Sequence, residues 1–299
     1  MSAPRLEGRA IAVVGGDERE QEIARLAALA GAQVRAYGFP WPEGGIPGVV
    51  ASGSAEDALA NADYALFPIP GMALDGSLFA PHAPAPIVPD VALLRHMRAK
   101  AAIILGTADD ALRAAAAELG HALVEYESDT ELMLLRGPAI VEGALGAAIA
   151  NSLVTIHGAS VGIVGHGNIG RLLARTLVLL GARVHVFARN PVQRADAYCA
   201  GCAPHPLDEL AAVAPVLDML FSTVPVGVVD RAVLGVLTRN SLVVDLAAPP
   251  GGIDLAAASE LGLRALWARG LGRRAPVTVG RSQWGGILKR IVELEGGAV

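Results

Sequence analysis

The feature that most constrains the fold is a strand–turn–helix–strand pattern that occurs near the start of the chain and again in its second half. In the first half, an apolar run at residues 10–16 leads into a helical apolar period and then into a strand-like run at 33–37. In the second half, the runs at 160–165 and 183–187 flank a leucine-rich helical period in the same way. Short apolar runs that alternate with helical periods indicate parallel strands, because right-handed crossovers place helices on both faces of the sheet.

Two further strand-like runs complete each half. They are residues 63–67 and 102–105 in the first half and residues 218–221 and 242–246 in the second. The sequence therefore predicts an α/β fold with two doubly wound parallel-sheet domains. The length of 299 residues agrees with this prediction, since chains of this length usually divide into two domains.

A glycine-rich turn stands directly after the buried run 160–165 and opens the following helix. It reads GHGNIG and matches the pattern G-x-G-x-x-G. In that pattern the first glycine permits a tight turn, the second lets the backbone approach a pyrophosphate, and the third lets the helix pack closely on the strand, while helix N–H groups face the anion. The alternative is a glycine-containing turn without a ligand. We expect a dinucleotide to bind at Gly165, His166, Gly167, Asn168, Ile169 and Gly170.

This turn assigns different tasks to the two domains. The second, residues 136–281, is predicted to be a Rossmann domain that binds NAD(P). The first, residues 1–135, is predicted to be a flavodoxin-like substrate domain that the C-terminal helix 282–299 joins. An Ala/Leu-rich helix at 138–153 links the two sheets, and we expect a cleft beside it.

The residues after the next strand bear on the choice between NAD and NADP. An acidic side chain there would accept hydrogen bonds from the ribose hydroxyls of NAD, whereas this chain has Arg189, a bidentate donor for a 2′-phosphate. Arg194 can support it. The sequence favours NADP; NAD is the alternative, with Arg189 as an ordinary surface arginine. The candidate residues of this corner are Ala188, Arg189, Asn190 and Arg194.

Ligands of open α/β sheets lie outside the carboxyl ends of the strands. The loops after the third and fourth strands of the second domain are therefore predicted to flank the ribose and nicotinamide. Simple strand termination by proline and glycine is the alternative. The candidate residues are Thr223, Val224, Pro225, Asp245, Leu246 and Ala247.

In the first domain, the loop at residues 15–19 opens a helix but lacks the full dinucleotide pattern, so it suits a smaller ligand. Asp17 and Arg19 are candidate site residues; the alternative is that Asp17 only caps the helix and Arg19 is solvated. Pro70, in a proline turn, is a further candidate. So is Glu142, because a carboxylate in an otherwise uncharged helix needs a partner.

Composition excludes several classes of function. A net charge of −5 is too acidic for a nucleic-acid surface. The mean hydropathy of +0.46 raises the question of a membrane protein, but the uncharged stretch 143–170 divides into a helix, a polar turn and a buried strand, so we predict no spanning helix. No export signal is recognised, and a cytoplasmic location is expected. Cys199 and Cys202 are predicted to be free structural thiols rather than a redox pair or half of a zinc site, and no metal site is predicted.

Taken together, these motifs resemble those of the dipicolinate synthase A-subunit family over nearly the whole length. This sequence departs from the family pattern at Glu18, at residues 166–168 and at Ser222. The matching segments are residues 15–19, 68–70, 139–144, 155–158, 165–170, 186–189, 245–248, 250–252 and 276–280.

The resemblance implies an NADP-dependent oxidation of dihydrodipicolinate to dipicolinate, pyridine-2,6-dicarboxylate, which is the calcium chelator made during sporulation. It also implies a separate, flavoprotein-like B subunit; we further expect a homodimer. A dicarboxylate substrate needs cations or N–H donors at both ends. The candidate substrate-binding residues are Arg19, Pro70, Thr278 and Arg281, and the candidate catalytic residues are Arg19 with Asp17 or Glu142 as proton acceptor.

Two other functions stay open at this point. A D-2-hydroxyacid dehydrogenase shares the two-domain plan and the glycine turn, but that family places a catalytic histidine late in the chain, and the last histidine here is His205. A non-catalytic cofactor-binding subunit, which contributes its site only after pairing with another protein, is the second alternative.

Overall fold

The computed structural model describes residues 6–297. The chain divides into two compact units. The first unit comprises Met1–Arg136 and Ala275–Val299, and the second comprises Gly137–Arg274. Each unit contains one six-stranded sheet.

Strands and helices alternate along almost the whole described chain. The strands are β1 (Ala10–Val14), β2 (Gln33–Tyr37), β3 (Val49–Ala51), β4 (Tyr64–Leu66), β5 (Ala102–Leu105), β6 (Ala122–Glu125), β7 (Ser160–Val164), β8 (Arg183–Phe187), β9 (Ala203–His205), β10 (Met219–Ser222), β11 (Leu242–Asp245) and β12 (Arg264–Trp267). The helices are α1 (Glu18–Leu29), α2 (Ala55–Leu59), α3 (Val91–Leu94), α4 (Asp110–Leu119), α5 (Thr130–Asn151), α6 (Asn168–Leu179), α7 (Pro191–Cys199), α8 (Leu210–Val213), α9 (Arg231–Val236), α10 (Leu255–Glu260) and α11 (Pro276–Leu294).

Both sheets are parallel and have the same strand order. The first runs β3-β2-β1-β4-β5-β6 and the second β12-β11-β10-β7-β8-β9, which is the same order read from the opposite edge. The prediction of two doubly wound parallel-sheet domains is confirmed. The order of the first sheet is that of dinucleotide-binding domains, so its prediction as flavodoxin-like is wrong: β1 pairs with β4 instead of β3. The sequence did not predict the short strand β3, so it could not distinguish the two possible strand orders of this sheet.

All four strands that were not predicted from the sequence are edge strands: β3, β6, β9 and β12. The central strands β5 and β11 are buried at every residue, because helices cover both faces, and they read as continuous apolar runs. The edge strands are partly exposed. β3 is apolar but only three residues long, and the other three contain polar residues, so no apolar run of strand length identifies them. β9 even contains Pro204, which an edge strand tolerates.

Helix α5 is longer than predicted. Its predicted bounds were residues 138–153, but the helix spans Thr130–Asn151 and contains Pro138. Among the described residues, α5 is the one helix whose length and composition would allow it to span a membrane. Its residues Val141, Ala144 and Ala148 belong to the apolar core of the second unit.

Helix α11 packs against α1 within the first unit. A Cβ on Gly280 would lie 2.6 Å from the main-chain oxygen of Arg19, so the crossing requires a glycine. Arg290 of α11 also donates to Asp129 at 2.9 Å. The predicted helix 282–299 starts later than α11, and its residues 298–299 lie outside the described residues.

Candidate functional site

The glycine turn between β7 and α6 has the backbone geometry that its sequence pattern predicts. Gly165 has φ +95°, a left-handed conformation, and a Cβ on it would lie 2.6 Å from Oγ1 of Thr223. A Cβ on Gly170 would lie 2.3 Å from the oxygen of Gly165. By contrast, a Cβ on Gly167 would meet no heavy atom within 4 Å. Two of the glycines are therefore required by packing, while the space beside Gly167 is open.

The N-terminus of α6 has unsatisfied main-chain donors. Gly165 N donates to the oxygen of Phe187 at 2.9 Å. Within residues 6–297, no acceptor receives the N–H groups of Gly167, Asn168 or Ile169. Free N–H groups at a helix N-terminus, together with the helix dipole, form an anion-binding site. The turn therefore fits the pyrophosphate of a dinucleotide.

The corner after β8 contains an arginine side chain without a partner. Arg189 is exposed, and its guanidinium makes no hydrogen bond or ion pair within the described part of the chain. Nη1 of Arg194 donates to the main-chain oxygens of Ala188 and Arg189, each at 2.8 Å. Asn190 caps α7 by accepting from the N–H of Val192. Arg194 and Asn190 thus stabilise the loop from which Arg189 projects.

The two loops beyond the glycine turn are held by their own side chains. Thr223 Oγ1 donates to the oxygen of Val164 at 3.0 Å, which ties the loop after β10 to the end of β7. Asp245 is buried, and its carboxylate accepts from the N–H groups of Ala247 at 2.9 Å and Gly252 at 2.7 Å. This carboxylate shapes its own loop, so any contact with a cofactor would come from the main chain or from neighbouring residues.

In the first unit, Asp17 and Arg19 form a buried pair at the start of α1. Asp17 caps the helix, and its two oxygens accept from Nε and Nη2 of Arg19, each at 2.7 Å. The cap interpretation of Asp17 is confirmed. The alternative of a solvated Arg19 is wrong, because the pair is almost completely excluded from solvent.

Glu20 belongs to the same loop and was not among the predicted site residues. Its Oε2 accepts from the N–H of Asp17 at 2.7 Å and its Oε1 from the N–H of Ile69 at 3.0 Å, so it joins the loop after β1 to the proline turn after β4. Burial raises the pKa of Glu20 to about 7, although the charge of Arg19 acts in the opposite direction. Asp17 and Glu20 have the three-residue spacing of a capping box. This signal in the sequence would have identified the hydrogen bond from the N–H of Asp17 to the Glu20 side chain.

The start of α1 differs from the start of α6 in its free donors. Gly16 N donates to the oxygen of Phe79 at 2.7 Å. The next donor, Asp17 N, is taken by Glu20, and Arg19 N by the Asp17 side chain. The first unit therefore has the strand order of a dinucleotide-binding sheet, but its own residues occupy most of the N–H groups that would hold a pyrophosphate, and within residues 6–297 the N–H of Glu18 is left without an acceptor.

Comparison with known proteins covers both units. Residues 10–127 match the family model of the N-terminal domain of the dipicolinate synthase A subunit. Residues 136–247 match the D-isomer specific 2-hydroxyacid dehydrogenase, NAD binding domain. The dipicolinate synthase A subunit of Bacillus subtilis (strain 168) is 31% identical over 97% of this chain and 98% of the relative.

The chain belongs to the dipicolinate synthase A-subunit family. Two solved structures agree. The protein from Bacillus halodurans has a TM-score of 0.88 at 28% identity and covers 96% of this chain and 99% of its own. The one from Bacillus subtilis has a TM-score of 0.85 at 30% identity, with 98% and 99% covered. The resemblance inferred from the sequence is thus confirmed, and the second unit is a nicotinamide-dinucleotide-binding domain of an oxidoreductase type.

The residues predicted to bind the substrate of this family are spread over several elements. In the first unit, Pro70 is exposed in the turn after β4, and Thr278 is exposed in the first turn of α11. Arg281, also on α11, is exposed and has its Nη2 3.4 Å from Oε1 of Glu22. In the second unit, Glu142 is exposed and forms an ion pair with Arg274, which supplies the partner that its position in the helix predicted.

The two cysteines are not joined to each other. Cys199 is exposed and Cys202 is buried, both as free thiols, and burial raises the pKa of Cys202 to about 11. A protonated, buried thiol is a poor nucleophile. In the part of the chain that the structure describes, no group of three or more His, Cys, Asp or Glu side chains is arranged to hold a metal ion.

Proposed function

We propose that this chain oxidises dihydrodipicolinate to dipicolinate with NADP⁺, as the A subunit of a dipicolinate synthase. The observation that carries the proposal is the row of free N–H groups at the start of α6, facing the open space at Gly167. Membership of the dipicolinate synthase A-subunit family supports the substrate. Its relatives are called subunits, which supports a complex with a B subunit.

NADP is proposed over NAD because of Arg189. The corner after β8 offers no carboxylate at residues 188–190 to receive the ribose hydroxyls of NAD. It offers an exposed guanidinium without a partner in the described chain, which matches the charge and the acceptor geometry of a 2′-phosphate.

The chemistry asked of the protein is modest, because formation of the aromatic ring is strongly favourable. A bound NADP⁺ would supply the hydride acceptor, and the overall reaction would convert dihydrodipicolinate and NADP⁺ to dipicolinate, NADPH and H⁺. The protein must hold the ring carbon close to the hydride acceptor and receive one proton.

The buried pair changes the roles proposed for the first unit. Asp17 accepts three N–H donors from Arg19, so we do not retain it as the proton acceptor. Arg19 is proposed to shape the loop beside the substrate, with Nη1 as its remaining donor. Arg281 and Thr278, which are exposed, are the proposed donors to a carboxylate, and Pro70 is proposed to contact the substrate. Glu142 is retained as the candidate proton acceptor because, unlike the buried Asp17, its carboxylate is exposed and has a single partner, Arg274.

The direct test is an assay of the purified chain with NADP⁺ and enzymatically generated dihydrodipicolinate, with and without a B subunit. We expect NADPH and dipicolinate to form in equal amounts. Turnover only when the B subunit is present would favour the alternative of a non-catalytic cofactor-binding subunit. Absence of any heat of association with NADPH and NADH, for the chain alone and with the B subunit, would contradict the proposal.

A D-2-hydroxyacid dehydrogenase activity is less well supported, although the second unit matches the NAD binding domain of that family. No histidine follows His205, and the catalytic histidine of those enzymes lies late in the chain. A panel of D-2-hydroxy acids belongs in the same assay, and we expect no turnover. A cytoplasmic location and a homodimer stay predictions.

A further inference from the structure

The first variable residue of the glycine turn, His166, connects this turn to the next helix. Its side chain is buried, and its Nε2 lies 2.9 Å from Oδ2 of Asp196 on α7. The same oxygen lies 3.0 Å from Nε of Arg171 on α6. Because an ionised carboxylate only accepts hydrogen bonds, the proton of this bond is on Nε2 of His166.

Simple packing does not account for a histidine at this position. Nδ1 of His166 is buried and has no hydrogen-bond partner in the described chain. An apolar side chain would fill the same space without leaving a buried nitrogen unsatisfied, and such atoms are uncommon in native proteins. A favourable interaction that an apolar side chain cannot make must therefore offset the free-energy cost of the unsatisfied Nδ1. Among the described residues, the only hydrogen bond of the ring is the one from Nε2 to Asp196.

This bond fixes the position of α7 relative to the glycine turn. Helix α7 begins directly after the loop of Arg189, and Arg194, in the same helix, donates to the main-chain oxygens of residues 188 and 189. The loop and the helix are therefore held together. The hydrogen bond from His166 to Asp196 consequently joins the glycine turn to the helix that holds the loop of Arg189, in addition to the pairing of β7 with β8.

We propose that His166 is a positioning residue for cofactor discrimination. Its hydrogen bond to Asp196 holds Arg189 at the distance from the glycine turn that suits a dinucleotide carrying a 2′-phosphate. The inference rests on the proposed NADP preference. Asp196 has a second, opposing effect: it is a negative charge on the helix next to the phosphate site, and by charge alone it would weaken NADPH binding.

The two effects predict opposite results for Asp196→Leu, which makes the variant informative. If Asp196 acts through the bond to His166, its removal lowers the preference for NADPH over NADH. If it acts only as a nearby charge, its removal raises that preference. Asp196 is partly exposed, with 39% of its side chain accessible, so we expect the variant to fold.

The experiment measures the Kd values of NADPH and NADH for the full-length protein by calorimetry. We expect His166→Leu and Asp196→Leu to lower the NADPH:NADH affinity ratio by about tenfold, the usual effect of one charge-assisted hydrogen bond. His166→Gln retains an N–H donor and should restore most of the ratio. Glu260→Gln, which breaks an exposed ion pair with Arg231 in the same unit, is the matched control and should leave the ratio unchanged.

An unchanged ratio in a folded His166→Leu protein, or a raised ratio in Asp196→Leu, would overturn the inference. Equal losses of NADPH and NADH affinity would also overturn it, because they indicate a structural role only. Failure of the proposed NADP preference would appear earlier and separately, in the unmodified protein, as a ratio at or below one.

Discussion

At the scale of single residues, the proposed cofactor site differs from its surroundings in which side chains already have a protein partner. Arg189 is exposed and unpaired in residues 6–297, whereas Arg194, five residues later, is used to hold the main chain. The sequence alone does not distinguish the roles of these two arginines, whereas their contacts in the structure do. Arg189 is therefore the residue on which the NADP preference can be tested.

Replacing Arg189 with Asp should weaken NADPH binding relative to NADH by about 1 to 3 kcal/mol, because a charge-assisted hydrogen bond is replaced by repulsion. Titration of both cofactors by calorimetry measures the change. Arg183→Asp, at an exposed arginine that begins the strand β8 preceding the loop of Arg189, is the control. An affinity ratio that Arg189→Asp leaves unchanged would remove this residue from the cofactor site.

Glu20 makes the stability of the protein depend on pH. Its pKa is raised from the ordinary value of 4.5 to about 7 in the folded state, mainly by burial. The folded state therefore binds the proton more tightly, so the contribution is fully present below pH 4.5 and is lost as pH rises through 7. We expect the free energy of unfolding to fall by up to about 3 kcal/mol from this group between about pH 5 and pH 8.

Urea denaturation at about pH 5 and pH 8 measures this contribution as the difference between the parent protein and Glu20→Gln. The variant cannot ionise at this position, so its stability should vary less with pH. Glu118→Gln, an exposed glutamate of α4 in the same unit, is the control. An identical pH dependence in the Glu20→Gln protein would show that Glu20 does not carry a raised pKa.

At the scale of elements, the starts of α1 and α6 occupy equivalent places in two sheets of the same strand order, yet they differ in their free N–H groups. Among the described residues, three consecutive N–H groups at residues 167–169 have no acceptor at α6, whereas at α1 the single N–H of Glu18 has none. The difference comes from side chains at the start of α1 and from the loop that contains Phe79. Asp17 and Glu20 cap α1, and the oxygen of Phe79 takes another donor. Helix α6 has Gly167 as its N-cap and no side-chain cap, as an anion-binding terminus requires.

Gly167→Ala separates ligand binding from folding. The backbone of Gly167 has φ −83°, which alanine adopts readily, and the added Cβ would meet no protein atom within 4 Å. We therefore expect a nearly unchanged Tm and at least about tenfold weaker binding of NADPH and NADH alike, since the methyl group enters the space proposed for the pyrophosphate. Gly170→Ala is the contrasting variant and should lower the Tm, because its Cβ would clash with the oxygen of Gly165. Unaltered cofactor affinity in Gly167→Ala would place the pyrophosphate elsewhere.

At the scale of the whole molecule, the chain contains two sheets of one topology with different uses. The repeated topology alone would suggest two dinucleotide sites, but at the start of α1 the N–H groups of Gly16, Asp17 and Arg19 are already occupied. We expect calorimetry to find one NADPH per chain. A stoichiometry of two would mean that the cap formed by Asp17 and Glu20 opens when the cofactor binds.

Much of this organisation could be predicted from the sequence because it is local. Strands β5 and β8 were predicted with their observed bounds. β5 is a continuous apolar run that is buried throughout, and β8 alternates Val184 and Val186 with polar residues before Phe187, after a glycine that ends the preceding helix. Gly165 and Gly170 were identified because a left-handed turn and a close helix–strand contact admit only glycine. Edge strands were missed because partial exposure removes the apolar signal on which such a prediction depends.

The sequence by itself determined the two doubly wound sheets, the glycine turn and the family, since each depends on spacing within a short segment or on a set of such segments in order. Only the tertiary structure decided which polar groups are already paired. The contact of Glu20 with Ile69 and that of His166 with Asp196 join residues far apart in the chain. The physical reason is that burial and charge compensation depend on what packs nearby in space, and the energy of a carboxylate or an imidazole depends on both.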